Sequence, residues 1–197
     1  MIWSILICGI AERYHTVHPL LLGLLEHQSV ARRPDVELLY LLDNRRRSVG
    51  SKRNDLLAAA RGEYVSFIDD DDSVATDYVD KIYRTICQTR KGIRVVACEG
   101  SGHDIGDRAP IADVICFKQR CTIKPQGIIH ECTYSLEHWK NRAPEQRRQL
   151  TTTDTPNTLN WTGPPAHTMA WRLDLVKDVK FEEKQFGEDS LWVDKCC

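Results

Sequence analysis

The first half of the chain switches between short unbroken apolar runs and longer stretches with an apolar residue every three or four positions. Ser4-Ile5-Leu6-Ile7-Cys8 is a continuous run bounded by Gly9, the pattern of a strand covered on both faces. Leu21, Leu24 and Leu25 recur at helical spacing, which predicts a helix over 18–29 that ends before Arg33-Pro34, because proline disfavours helical geometry just before it. A second strand is predicted over 36–42, finishing at Asp43-Asn44, and a second helix over 52–61 with Gly62 as its C-terminal cap. The third strand, 64–68, runs straight into four aspartates. Val79, Ile82, Tyr83 and Ile86 share one face of a helix over 77–88, and 93–98 reads as a fourth strand. This alternation predicts an α/β fold: a doubly wound, mainly parallel sheet flanked by helices in a single Rossmann-like domain.

From residue 99 onward the rhythm weakens. Strands are expected over 113–117, 131–136 and 167–172, a short helix from Leu173, and a last helix from Glu188-Asp189. Residues 150–162, rich in Thr, Asn and Asp with one proline, read as a mobile loop. The chain thus divides into a regular half, 1–98, and a less regular one, 99–197.

Composition narrows the class. A 197-residue chain that is 42% hydrophobic and 28% charged is globular, and a net charge of -1 excludes the global basic field of a non-specific nucleic-acid coat. The apolar stretch 20–25 is too short to span a bilayer, and Met1-Ile2-Trp3-Ser4 does not open a signal peptide, so a cytoplasmic protein without a membrane span is expected. None of the eight cysteines sits in a Cys-x-x-Cys pair; free, buried thiols are expected.

The most informative chemistry is the acidic tip of the third strand, Phe67-Ile68-Asp69-Asp70-Asp71-Asp72. In open α/β sheets ligands bind beyond the carboxyl ends of the strands. Four adjacent anions repel unless a cation joins them, and hard divalent ions such as Mg²⁺ or Mn²⁺ take oxygen ligands. The alternative is a solvated acidic turn that caps the next helix. Arg45-Arg46-Arg47 with Lys52 and Arg53 forms a basic stretch suited to phosphates, to an anionic polymer, or to plain solvation.

Three segments carry a resemblance: Ser51-Lys52-Arg53-Asn54-Asp55, Ala60-Arg61-Gly62-Glu63-Tyr64, and the strand closing on Asp69-Asp70-Asp71-Asp72. Together they resemble the GT-A-fold inverting glycosyltransferases of the large family-2-like group, over about residues 3–90 and again at Gly187-Glu188-Asp189. The resemblance implies a GT-A-like domain whose 1–98 half binds a nucleotide-sugar and whose 99–197 half binds the acceptor. It implies that Asp43 meets the base, Arg53 lies near the nucleotide, and Asp69 and Asp70 belong to the donor site. Asp71 and Asp72 would hold Mn²⁺ or Mg²⁺, and Asp189 would be the catalytic base, with Glu188 its competitor. The donor would be a UDP-sugar and the acceptor a glycan, a small molecule, a protein or modified DNA. His167 and Trp161 are candidates for contact with either sugar, or for the core.

Such a reaction needs carboxylates in two places, one set at the diphosphate and another beyond the sugar to take the acceptor proton. Two departures from the family stand out. No histidine follows Asp189 where many relatives carry a metal ligand, and Gly9-Ile10-Ala11-Glu12 replaces the threonine or serine that often meets the base. A nucleotidyltransferase is the second enzymatic reading, although its glycine-rich loop is missing after Gly9; a non-catalytic nucleotide-sugar-binding module is the third.

Overall fold

Trp3, Ile5 and Ile7 point to one side of the first strand and Leu6 and Cys8 to the other, and both sides are buried. That burial is why the run carries no polar alternation. The computed structural model describes residues 1–91, 111–123, 128–134, 151–155 and 158–196. Its strands are β1 (Trp3–Ile10), β2 (Val36–Asp43), β3 (Tyr64–Asp69), β4 (Val114–Ile115), β5 (Gln119–Ile123), β6 (Ile128–Tyr134), β7 (Thr151–Thr155), β8 (Thr158–Gly163) and β9 (Ala170–Arg172). Its α-helices are α1 (Tyr14–Leu22), α2 (Val49–Ala59), α3 (Tyr78–Arg90), α4 (Leu173–Val176) and α5 (Glu188–Cys196).

The main sheet has the order β2-β1-β3-β9-β4. Its first three strands are parallel, while β9 runs antiparallel to both β3 and β4. One face carries Val17 and Leu20 of α1 and Val79, Ile82 and Ile86 of α3; the other carries Leu56 and Leu57 of α2, Val176 of α4, and Trp192 and Val193 of α5. The result is the helix-flanked α/β arrangement that the alternation predicts. Register aligns Ile10 with Asp43 and Cys8 with Asp69, so the carboxyl ends of β1, β2 and β3 share one edge. No described helix is long and apolar enough to cross a membrane.

Four expectations change. Residues 151–155 and 158–163 are strands rather than a loop, paired antiparallel in a second sheet of order β5-β6-β8-β7. Their threonines, scored as loop formers beside Asn and Asp, are β-branched and fit a pleated surface. α2 starts earlier than predicted because the Ser48 side chain accepts from the Ser51 amide at 3.1 Å and caps it. Gly62 does not cap that helix, which ends at Ala60 in extended backbone. It is needed instead for close approach, since a Cβ there would lie 2.5 Å from the Ser4 nitrogen. Of the cysteines, Cys8 is a buried free thiol as expected, but Cys121 is exposed. The predicted strand 93–98 lies outside the described residues.

At the amino end of the strands, buried Glu37 accepts from Ser4 Oγ at 2.6 Å, the Arg61 amide at 2.7 Å and the Arg61 guanidinium at 2.7 and 3.0 Å. Burial alone would raise its pKa; the hydrogen bonds from Ser4 and Arg61 outweigh burial and hold it below its ordinary 4.5. A depressed carboxylate stabilises the fold above its ordinary pKa and loses that contribution as pH falls through the lower folded value. Glu37→Gln should therefore cost about 1–3 kcal/mol near neutral pH in urea unfolding, with the deficit shrinking in acid. A deficit that stays constant down to about pH 3 would contradict this assignment.

Candidate active site

The shared edge opens into a cleft of about 510 Å³. Cys8 and Ile10 line it from β1, Asp69 ends β3, Asp70 and Asp71 follow, and Arg13 comes from the turn after β1. Arg45 and Arg47 enter from the β2–α2 connection, Lys52 and Arg53 from α2, 185–187 from the segment that leads into α5, and Glu188 and Asp189 from the first turn of α5. Burial pushes the Cys8 thiol up to about 12, so the cleft floor holds a neutral thiol rather than a thiolate nucleophile.

Arg53, 4% exposed, is the hub of the site. One guanidinium nitrogen binds Glu188, itself 4% exposed; another lies 2.6 Å from Asp69 Oδ1 and 3.0 Å from His167 Nε2. Burial would raise the Asp69 carboxyl, but contacts with His167 and Arg53 hold it far below the usual range. Next to Arg53, the Asn54 amide grips the Phe181 backbone in both directions at 2.9 Å. The approach is close: a Cβ on Gly50 would lie 1.8 Å from the Glu182 carbonyl oxygen. The Phe181 ring stacks on buried Trp192 with centroids 4.6 Å apart. The Arg-Asn pair of α2 therefore fixes the segment that delivers Glu188 and Asp189.

Lys52, 2% exposed, donates to the Gly9 carbonyl at 3.1 Å and to Asp43 Oδ1 at 3.2 Å, tying the tips of β1 and β2. Burial would raise Asp43, and Lys52 with nearby amides holds it below its ordinary value. Asp43 Oδ1 also accepts from the Arg45 amide, which accommodates the positive φ of 59° at Arg45. Asp43 Oδ2 has no hydrogen-bond donor and lies 3.8 Å from Arg47 Nε.

The acidic tip is split. Asp70 accepts from the Ile10 amide at 3.2 Å and from Arg13 at 2.9 Å, and the same Arg13 nitrogen reaches Asp71 at 2.9 Å. Asp72 turns back through its amide to the Asp69 carbonyl at 3.1 Å. Its carboxyl is pushed up to about 6 by burial and then by the charges of Asp69 and Asp71, so carboxylate repulsion is not fully compensated there. Among the described residues no group of three or more His, Cys, Asp or Glu side chains is arranged as a metal cage.

Of the residues singled out from sequence, Arg53, Asp69, Asp70, Asp71, Glu188 and Asp189 converge on the cleft. Lys52 and Arg53 are buried counter-ions rather than members of an open basic loop. Glu188 is committed to Arg53, whereas Asp189 remains 38% exposed at the cleft. His167 sits behind the cleft wall, 3.4 Å from Asp69 Oδ2 and 3.5 Å from Asp189 Oδ2. Trp161 falls in β8, and its side chain lies outside the described residues. Arg13 and Asn54 went unrecognised as site residues, as did the cleft-lining Phe186, which is 90% exposed. Asn54 stood inside the quoted motif; nothing in the spacing of Arg13 or Phe186 marks them.

Residues 26–155 match the family described as glycosyl transferase family 2. The chain belongs to that family. It is also similar in fold to crystal structures of S. aureus TarS 1-349. To the complex with UDP-GlcNAc the TM-score is 0.55 at 16% identity, covering 100% of this chain and 53% of that one. To the complex with UDP the TM-score is 0.50 at 17% identity, covering 100% and 55%. The chain thus spans a little over half the length of those structures. No curated protein matches it.

Removing Arg53 leaves a buried Glu188 carboxylate unpaired. Arg53→Met should cost about 3–5 kcal/mol in urea unfolding. A loss below about 1 kcal/mol would mean that the guanidinium does not hold the frame.

Proposed function

We propose that the chain transfers a sugar from a UDP-sugar to an acceptor hydroxyl by single displacement with inversion at the anomeric carbon. The observation that carries this reading is the pairing, across one cleft, of an acidic tip at Asp69 to Asp72 with a separate, open carboxylate at Asp189. The 1–98 half then binds the donor and the 99–197 half the acceptor.

Asp43 supplies Oδ2, an acceptor without a donor, to a base N–H once Arg47 moves aside. Arg13, poised on Asp70 and Asp71, is free to turn toward the diphosphate. The all-oxygen set suits Mg²⁺ or Mn²⁺, which need only one or two carboxylates when substrate phosphates complete the shell. Asp71 and Asp72 would hold that ion, whose charge offsets the negative charge growing on the leaving diphosphate. Asp69, ionised and fixed by Arg53, orients the donor sugar. Asp189 takes the acceptor proton as the acceptor oxygen bonds to the anomeric carbon and the bond to the diphosphate breaks. The engagement of Glu188 by Arg53 in the interior supports Asp189 rather than Glu188 in that role. The TarS complexes with UDP-GlcNAc and with UDP support a uridine donor.

UDP release from UDP-GlcNAc in the presence of Mn²⁺ tests the reading. Turnover is expected in the native chain and should be abolished in Asp71→Ala. Asp189→Asn should keep UDP affinity while lowering turnover by about 10²–10⁴-fold, since the base acts only in the chemical step. UDP affinity lost in parallel with turnover would reject Asp189 as the base.

A further inference from the structure

We infer that His167 is the positioning residue of the candidate base: its ring, oriented by Arg53, presents Nδ1–H to the Asp189 carboxylate. The inference rests on Asp189 acting as proposed above. Arg53 approaches His167 Nε2 at 3.0 Å, and a guanidinium can only donate. Nε2 is therefore the acceptor, and the ring proton belongs on Nδ1. That nitrogen lies 3.5 Å from Asp189 Oδ2, a separation of the kind that shortens when substrate binds. Nε2 also lies 3.4 Å from Asp69 Oδ2; a proton there would add to the depression of that carboxyl, whereas with the ring proton on Nδ1 it is Arg53, at 2.6 Å, that keeps Asp69 ionised.

The ring is held rigidly enough for the task. His167 is buried, its neighbours are Arg53, Asp69, Asp189 and the Phe67 ring at 6.3 Å, and it does not line the cleft. The turn that carries it is closed by the Met169 amide and the Trp171 indole, both donating to the Ala166 carbonyl at 3.1 and 2.9 Å. His167 therefore acts through Asp189 and touches neither sugar. During transfer the acceptor O–H breaks and a carboxyl O–H forms on Asp189, while the imidazole keeps its own proton. An N–H aimed at the carboxylate selects the orientation in which its free oxygen faces the acceptor, as the partner of a catalytic group does in other acid–base sites.

The two amide isosteres separate the two ends of the ring. An Asn side chain places its nitrogen near the position of Nδ1, and a Gln side chain near that of Nε2. With UDP-GlcNAc and Mn²⁺ as the probe, His167→Ala should lower kcat by about 10²-fold with UDP affinity unchanged. His167→Asn should recover most of the loss and His167→Gln little of it. Rescue by Gln equal to or better than rescue by Asn, an unaltered kcat in His167→Ala, or a parallel loss of UDP affinity would each overturn the inference. If the Ala variant fails to fold, the contrast between Asn and Gln still decides. A native chain that never cleaves UDP-GlcNAc would remove the functional reading and this inference together; an active native chain with unimpaired variants would remove this inference alone.

Discussion

A guanidinium enclosed by two carboxylates governs this molecule. Arg53 joins three elements that are far apart in sequence: α2, on which it sits, the tip of β3 through Asp69, and the start of α5 through Glu188. Burying such charges is costly unless each is matched, and a partly matched set is worse than an apolar one. Here both terminal guanidinium nitrogens are matched, one by Glu188 and the other by Asp69 and His167, while Nε is buried without a partner. Asn54 clamps Phe181, and the absence of a side chain at Gly50 lets the 181–187 segment lie against α2. Phe181 and Trp192 then fill the space beneath.

From that frame follows a division of labour among the charges. Lys52, Arg53 and Glu188 are consumed in fixing the walls, Asp69 is held by Arg53 yet still faces the cleft, and Cys8 is neutralised by burial. Among the groups open to a ligand are Arg13 with Asp71 on one side and Asp189 with Phe186 on the other. The open groups on the first side suit a charged diphosphate and its cation, and those on the second suit a hydroxyl and an apolar sugar face. The spatial order of a group-transfer reaction is thus built into which charges are spent and which are spared.

Much of the frame was legible in the chain. The unbroken apolar runs gave the three parallel strands, because strands covered on both faces cannot alternate. The acidic residues after β3 pointed to a site because a carboxylate run at the carboxyl end of a buried strand has few structural uses. Harder to read was what depends on tertiary partners. Lys52 and Arg53 look like solvated cations in a polar stretch, and only the fold turns them inward. Glu188 and Asp189 are chemically equivalent neighbours, and one helical step decides which meets Arg53 and which meets the cleft. The paired strands 151–155 and 158–163 read as loop because their Asn and Asp content outweighs the β-branching of the threonines.

The central claim is that the acidic tip receives a nucleoside diphosphate through a divalent ion, inside walls that Arg53 holds fixed. Calorimetric titration of UDP into the full chain, once with Mn²⁺ and once with EDTA, tests it most directly. Saturable one-to-one binding is expected with Mn²⁺ and a marked weakening with EDTA. Equal heats and equal affinity in both buffers, or no binding in either, would contradict it.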